Sequence, residues 1–347
     1  MGGPDMAPHT PQRSGRPGQP VAPLGITRGL GPDMAPQTPR DLGAAAFGAG
    51  SRLECIPNVS EGRDASLIGR LAETIRAAGV ELIDVHSDVD HHRSVFTCVG
   101  APAVLERAML ALGRAALESI DLRSHHGVHP RVGALDVVPF VPLRGASMDD
   151  AVAVAHRVGQ LLAQALGLPV YFYGAAALKE DRRELAAIRL GGFEHLSDRM
   201  RNADWQPDAG PARLHPTAGA TIVGARGPLI AFNAMLDTAD VEVARRLALA
   251  IRESSGGLAA VRALGLWLPS RGLAQVSMNL LDYRRTGPRL VAKHIEEHAH
   301  RAGVSVAAYE LVGCAPADAM ADWPSSLAAI VGLKASQLLD PSLVAGN

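Results

Sequence analysis

Three histidines within five positions are the most chemically suggestive feature of this sequence. His125, His126 and His129 lie in the run Arg-Ser-His-His-Gly-Val-His-Pro-Arg, just ahead of an apolar stretch typical of a strand. An imidazole changes its protonation near neutral pH, so it can take a proton from an attacking group and return it to a leaving group. We therefore expect one of these histidines to act as a general base and acid. The alternative is that they are structural and bridge backbone groups.

A second polar loop, residues 86–92, also collects groups that can ligate a metal. Together the two loops suggest an alternative enzyme, a metal-dependent amidohydrolase built on His86, Asp88, Asp90, His91, His125 and His129. The spacing gives this alternative little support. His125 and His129 would share one helix face, but Gly127 and Pro130 oppose a continuous helix, and no Glu completes a His-Glu-x-x-His pattern. A solvated turn, or a loop that orients the substrate or the catalytic histidine, explains residues 86–92 without a metal.

Arginines beside the polar loops are candidates for binding substrate carboxylates. Arg93, Arg131 and Arg226 flank strand-like runs, and a planar guanidinium can bind a carboxylate through two hydrogen bonds. Several of them around one crevice would suit a dicarboxylate substrate, whereas any single one could be a surface ion pair. The charged run at 179–184 is expected to be the solvated face of a helix.

Composition excludes several classes of protein. The 347 residues carry a net charge of -1, with 20% charged and 47% hydrophobic residues, so nothing indicates nucleic acid or a membrane as a partner. Cys55, Cys98 and Cys314 have no close spacing, which fits a reducing compartment and argues against a disulfide framework. No apolar run is long enough to span a bilayer, and no signal peptide is recognisable. We expect a cytoplasmic protein.

The elements that must position these residues follow a repeated pattern. Residues 1–51 are rich in Pro and Gly and repeat the motif Gly-Pro-Asp-Met-Ala-Pro, so we expect a disordered extension. Residues 52–227 and 228–347 are each predicted to run β-α-β-β-α-β. The expected fold class is α+β: two ferredoxin-like (split βαβ) subdomains, with helices packed on mainly antiparallel sheets. The crevice between two such units is a natural place for a small-molecule site.

Taken together, ordered motifs over residues 53–316 resemble the formiminotransferase domain of the formiminotransferase-cyclodeaminase family. The matching stretches include Glu54-Cys-Ile-Pro-Asn-Val-Ser-Glu-Gly-Arg, Arg93-Ser-Val-Phe-Thr, Gly127-Val-His-Pro-Arg-Val-Gly-Ala-Leu-Asp, Val170-Tyr-Phe-Tyr-Gly, Gly219-Ala-Thr, Ile230-Ala-Phe-Asn and Leu273-Ala-Gln-Val-Ser. On this resemblance, 52–227 and 228–347 would be the N-terminal and C-terminal subdomains of that domain.

The resemblance implies transfer of a formimino group from N-formimino-L-glutamate to tetrahydrofolate in histidine degradation. The products would be 5-formiminotetrahydrofolate and L-glutamate, with folate as co-substrate and no metal. The family's catalytic histidine falls on His129. The implied substrate and folate contacts are Asn58, Arg93, Arg131, Gly210, Pro211, Ala212, Arg213, Leu214, His215, Pro216, Thr217, Ala218, Gly219, Arg226 and Asn233. A carboxylate that orients His129 is sought among Asp88, Asp90 and Asp136.

The resemblance also implies a homodimer and a separate cyclodeaminase that acts on the product. This chain departs from the family pattern at Val128, where a Glu is usual, and at His92. His86 stands where we would expect an acidic residue. Because these changes lie beside the chemistry, the donor could differ from formiminoglutamate. A folate-binding protein without turnover, or with another one-carbon donor, is therefore a further alternative.

Overall fold

The computed structural model of the protein describes residues 50–343. Residues 1–49 of the predicted disordered extension, and residues 344–347, lie outside this range.

The first subdomain is built on a mixed sheet in which β1 and β2 are two pieces of one broken strand. Both pieces pair antiparallel with β4 on one side and with β5 on the other. The break falls at Pro57, which has no backbone N–H to give to a neighbour. The strands are β1 (Leu53–Cys55), β2 (Asn58–Val59), β3 (Glu81–Asp88), β4 (Arg93–Gly100), β5 (Leu135–Pro142), β6 (Val170–Gly174) and β7 (Thr221–Ala225).

Across this sheet the order is β3-β4-β1/β2-β5-β7-β6, and β5, β7 and β6 are parallel. The helices are α1 (Ala65–Ala77), α2 (Pro102–Ser119), α3 (Met148–Leu166), α4 (Leu185–Arg189) and α5 (Gly192–Arg199). Helix α1 starts where the Asp64 carboxylate accepts from two free backbone N–H groups, and it buries an apolar stripe that includes Leu71 and Ile75. The apolar stripes of α1, α2 and α3 pack on one face of the sheet in one core. On the opposite face, α4 and α5 pack against β5, β6 and β7 in a second cluster, and the cavity described below lies over β1, β2 and β4.

The second subdomain is a smaller sheet with its own core. Its strands are β8 (Ile230–Leu236), β9 (Val261–Leu268), β10 (Leu273–Leu280), β11 (Val306–Val312) and β13 (Ile330–Val331), in the order β13-β11-β8-β10-β9. The short strands β12 (Ala315–Pro316) and β14 (Leu338–Leu339) pair with each other. The helices are α6 (Val241–Ile251), α7 (Pro288–Arg301) and α8 (Ala317–Met320). None of the helices within residues 50–343 has the length and apolar character that crossing a bilayer requires.

The expected α+β class with two split βαβ units is confirmed. In both units the four strands of the β-α-β-β-α-β pattern take the spatial order fourth, first, third, second, and all of these pairings are antiparallel. The first sheet then adds β7 and β6 in parallel, which periodicity did not predict, because strand direction depends on the crossover and not on local pattern.

Two local expectations for residues 179–189 are wrong. The helix expected to carry the charged run at 179–184 is instead a 3-10 turn, Glu180–Arg182, followed by the short helix α4. The charged run is not a solvated face throughout, because Arg182 is fully buried. Its guanidinium binds the Asp208 carboxylate at 2.5 Å and the backbone carbonyls of Asp204 and Gln206. A buried charge needs such partners, and all of these lie more than 20 residues away.

Candidate active site between the two sheets

A cavity of about 1290 Å³ lies between the two sheets, on the faces opposite α1–α3 and α6–α7. Every second residue of a strand faces the same side, so alternate positions supply its walls. Contributions come from β1, β2 and β4 of the first sheet and from β8, β10 and β11 of the second. Among the lining residues are Glu54, Asn58, Arg93, Thr97, His129, Arg189, Arg226, Asn233, Ser277 and Glu310. The site is therefore shared by both subdomains.

His129 lines this cavity and is half-buried. Nη1 of Arg93 donates to Nδ1 of His129 at 2.9 Å, and the carbonyl oxygen of Pro130 lies 2.9 Å from the same nitrogen. Arginine has only donors, so the first contact needs a lone pair on Nδ1, whereas the second needs a proton there. The two contacts are alternatives. Arg93 selects the tautomer protonated at Nε2, and Pro130 selects the tautomer whose Nε2 is free to accept a proton.

The surroundings of His129 favour its neutral form. Burial is the largest cause that holds the pKa of His129 well below its ordinary value, followed by the positive charges of Arg93 and Arg189. The ring of His91 lies 5.5 Å away between centroids. This environment therefore favours the neutral imidazole, which can accept a proton.

Arg93 is held by partners from three separate segments. The Asn58 side-chain oxygen accepts from Nε of Arg93 at 2.8 Å and also from Nη2. The carboxylate of Asp136 lies 3.7 Å from Nη1 of Arg93 and makes a shorter ion pair with Arg189. Asp136 also accepts the backbone N–H of Val132 at 2.8 Å. Asp136 therefore acts on His129 only through Arg93, and no carboxylate within residues 50–343 hydrogen-bonds to that imidazole directly.

The two histidine loops pack against each other. The backbone N–H of Val128 donates to the carbonyl of Asp90 at 2.9 Å, and Nε2 of His125 donates to the carbonyl of His92 at 2.7 Å. The His92 and His125 rings stack with centroids 4.0 Å apart. A Cβ at Gly127 would collide with the carbonyl of His91, so this close approach requires glycine. Of the three crowded histidines, His125 is a buried structural residue.

Residues 86–92 connect the first subdomain to the second. The Asp90 carboxylate accepts from the backbone N–H and hydroxyl of Ser270, at 2.9 and 2.6 Å. Asp88 accepts from Arg271 at 3.1 Å, and Nε2 of His91 lies 3.0 Å from the Gln275 side-chain oxygen. His86, Asp88 and His91 line the cavity, whereas Asp90 does not. The predicted orienting residues Asp88 and Asp90 thus bind the second subdomain.

The remaining predicted contacts divide between the cavity and its surroundings. Arg226 lines the wall, as does Asn233, whose amide donates to Glu310 at 3.1 Å. Arg131 does not line it, because its guanidinium pairs with Glu194 at 2.9 Å and supports the His125 carbonyl. None of the residues from Gly210 to Gly219 lines it either. In that segment Nδ1 of His215 accepts the backbone N–H of Ala218 at 3.0 Å, and a folate contact there stays a prediction.

Over residues 50–343, no three His, Cys, Asp or Glu side chains converge in a way that could hold a metal ion. Asp88, His91 and Asp90 instead contact side chains of the second subdomain, namely Arg271, Gln275 and Ser270.

Sequence reasoning missed three residues of the cavity wall. Arg189 shares Asp136 with Arg93, Glu310 lies 3.9 Å from Nε2 of His86, and Glu54 stands on β1. Each comes from a different element, so no spacing in the chain could have linked them. Only the arginine-rich composition of residues 182–189 hinted at Arg189.

The fold and site define a two-subdomain α+β protein with an arginine-lined pocket between its sheets. Comparison with known proteins agrees with this architecture. Residues 52–226 match the formiminotransferase domain, N-terminal subdomain, and residues 231–326 match the formiminotransferase domain. The chain belongs to the formiminotransferase family.

Several characterised relatives are similar over most of the chain. The glutamate formimidoyltransferase of Streptococcus pyogenes serotype M1 is 41% identical over 271 residues, which cover 78% of this chain and 91% of the relative. That of Thermoplasma acidophilum is also 41% identical, covering 78% and 90%. The formimidoyltransferase-cyclodeaminase of Sus scrofa is 42% identical over 277 residues, and the match spans about half (51%) of that longer protein.

Proposed function

We propose that this protein is a folate-dependent transferase that moves the formimino group of N-formimino-L-glutamate to N5 of tetrahydrofolate. The observation that carries the proposal is the contact of His129 with Arg93 at the wall of a cavity large enough for two substrates. Membership of the formiminotransferase family supports the choice of donor and acceptor.

The proposed reaction requires one proton carrier. N5 of the folate attacks the amidine carbon of the donor, and Nε2 of His129 takes the N5 proton. The tetrahedral intermediate then breaks its bond between carbon and the glutamate nitrogen, and Nε2 returns the proton to that nitrogen. The imino nitrogen stays on the carbon, now attached to folate. A single imidazole can serve both steps, and holding the two substrates together supplies much of the acceleration.

Charge at the site supports a donor with carboxylates. Arg93 and Arg189 share the single carboxylate of Asp136, so the group retains one positive charge beside the cavity. We propose that a donor carboxylate draws Arg93 away from Nδ1 of His129. Nδ1 then keeps its proton for the Pro130 carbonyl, and Nε2 becomes the base. Substrate binding would thus select the active tautomer.

One assay tests the proposal against its alternatives. Purified protein is mixed with formiminoglutamate and tetrahydrofolate, and 5-formiminotetrahydrofolate is followed, with and without a metal chelator. We expect product in both cases. Activity that disappears with the chelator and returns with added metal would favour the amidohydrolase alternative. If folate binds but no product forms, the protein is a folate-binding protein without turnover. If product forms only with another one-carbon donor, formiminoglutamate is not the substrate.

We also propose that the protein works in the cytoplasm as a homodimer. The three cysteines are free, which suits a reducing compartment. Sedimentation of the purified chain tests the dimer. A separate cyclodeaminase acting on the product stays a prediction.

A further inference from the structure

Glu54 is a buried acid at the cavity wall with no protein partner. It lies on β1 and is 8% exposed, and like Ile56 and Asn58 it lines the cavity. Within residues 50–343, no hydrogen bond and no ion pair reaches its carboxyl oxygens. The positive charge of Arg226, which also lines the cavity, acts on Glu54 without forming an ion pair with it. A buried carboxylate without donors is costly, so a fold that keeps one at a cavity wall leaves it for a ligand.

The setting of Glu54 indicates what such a ligand must offer. A carboxylate accepts two parallel N–H donors well, and the Arg226 guanidinium beside it donates to a carbonyl oxygen. A 2-amino-pyrimidinone edge carries that order of groups: an amino N–H, a ring N–H and a carbonyl. The pterin ring of folate has this edge.

We propose that Glu54 recognises the 2-amino and N3–H groups of the folate pterin ring, with Arg226 donating to its C4 carbonyl. This inference rests on the proposed function, which supplies folate as the acceptor. Glu54 would then determine the specificity for the ring, and the ring would lie at the part of the cavity wall formed by Glu54 and Arg226.

The position of Glu54 relative to His129 fits this assignment. Glu54 and Asn58 are four residues apart on one face of a nearly extended segment, which separates them by roughly 13 Å. Asn58 binds Arg93, and Arg93 contacts His129. A bicyclic ring held at Glu54 therefore extends toward the proton carrier, with its opposite edge, which includes N5, nearer to His129.

Fragments of folate provide the test. Isothermal titration of the full chain would measure binding of 5-formyltetrahydrofolate, of pterin and of p-aminobenzoylglutamate, for the wild type and for Glu54→Gln. The amide keeps the shape but loses the charge and one acceptor. We expect binding of the folate and of pterin to weaken about 10- to 100-fold, and binding of p-aminobenzoylglutamate to stay unchanged. Glu81→Gln, an exposed acid of the same sheet, is the matched control and should change none of them.

The pH dependence of folate binding gives a second readout. Burial raises the pKa of Glu54 to about 7, against the opposing charge of Arg226. Glu54 also interacts electrostatically with Cys314, a thiol at the cavity wall whose pKa burial raises, whereas the Cys55 side chain faces the core on the other side of β1. The wild-type dissociation constant should therefore rise as pH falls from 8 to 6, by up to about tenfold per unit below pH 7. In Glu54→Gln this dependence should disappear.

Several outcomes would overturn the inference. They are equal weakening of both fragments, a pH-independent wild-type affinity, or a higher KM for formiminoglutamate with ring binding unchanged. Should Glu54→Gln fail to fold, Glu54→Asp repeats the comparison with a shorter carboxylate. Because binding needs no turnover, a failure here leaves the transferase activity intact. A wild type that binds pterin through Glu54 but transfers nothing would instead count against the proposed function.

Discussion

Nη1 of Arg93 donates to Nδ1 of His129 at 2.9 Å, so the proposed proton carrier is in direct contact with a cation that we propose binds the donor. The same nitrogen lies 2.9 Å from the carbonyl of Pro130. Because Nδ1 cannot satisfy both groups, the position of the guanidinium determines which ring nitrogen is basic. In the proposed mechanism, this relationship would link donor binding to catalysis.

Replacing His129 should remove most of the activity without unfolding the protein. For His129→Ala we expect kcat to fall about 10²- to 10⁴-fold, the usual contribution of a general acid–base group. The folate dissociation constant and the melting temperature should stay near wild-type values. Steady-state kinetics with calorimetry would check this, with His126→Ala on the exposed part of the loop as control. A variant that keeps wild-type kcat would contradict the assignment.

Substituting Arg93 by Lys should separate its geometry from its charge. An ammonium cannot make the fork of contacts to Asn58 and His129 while also binding a carboxylate. We expect kcat/KM for formiminoglutamate to fall about 10- to 100-fold, with folate affinity unchanged. Initial rates at varied donor concentration measure this. An undiminished kcat/KM would mean that only the positive charge matters.

Asp136 should be a major contributor to stability. Its buried carboxylate lies between Arg93 and Arg189, so Asp136→Asn leaves two part-buried cations without a counter-charge. We expect the free energy of unfolding to fall by about 3–5 kcal/mol, measured by urea denaturation. Asp121→Asn removes an exposed carboxylate that pairs with Arg123 in water, and it should leave the free energy of unfolding nearly unchanged. Similar losses for the two variants would refute this account of the buried pairs.

Acid should destabilise the protein through His125. Burial lowers the pKa of His125 from 6.5 to about 4, and the ring is 4% exposed. The unfolded chain therefore binds a proton first as pH falls below 6.5, and stability declines until about pH 4. The loss should total roughly 3 kcal/mol. Urea denaturation across this range should show a shallower decline for His125→Gln than for the wild type.

The comparison at pH 8 serves as the control, because the His125 imidazole is then neutral in both the folded and the unfolded chain. There the two proteins should differ only by a constant offset in unfolding free energy. Parallel curves from pH 8 down to pH 4 would show that His125 does not contribute to the acid sensitivity.

Asp90 and Ser270 should be energetically coupled across the two subdomains. Asp90 accepts two hydrogen bonds from Ser270, one of them 2.6 Å long. A double-mutant cycle with Asp90→Ala and Ser270→Ala should give a coupling energy of about 1–3 kcal/mol in unfolding. The same cycle on the exposed pair Glu73 and Arg76 should give no more than about 0.5 kcal/mol. Additive effects of the first pair would rule out a stabilising bridge.

Much of the fold could be predicted because its information is local. The stripe that includes Leu71 and Ile75 has helical spacing, and the β-α-β-β-α-β order predicted for each unit is present in the structure. The prediction of a solvated helix at residues 179–184 is wrong, because the guanidinium of Arg182 is buried and needs partners from distant residues. Nothing in the local sequence reveals that Asp208 completes its ion pair.

The candidate site could be predicted only in part. His129 stood out because its loop concentrates histidines within five positions, and Arg93 because it begins a strand beside a polar loop. The contact between Arg93 and His129 joins residues 36 positions apart. Asn58 and Asp136, which support Arg93, are 35 or more positions away from it on other strands. Spacing carries no information about such distant pairs.

The sequence by itself determined the split βαβ pattern, the histidine loop and the family resemblance, since periodicity and motifs depend on neighbours along the chain. Only the tertiary structure decided which side chains meet in the cavity. It placed Asp136 against Arg93, joined Asp90 to Ser270 180 residues away, and left Glu54 without a protein partner at the wall. The physical reason is that a strand pattern shows which face a residue occupies, whereas the packing of two sheets decides what that face meets.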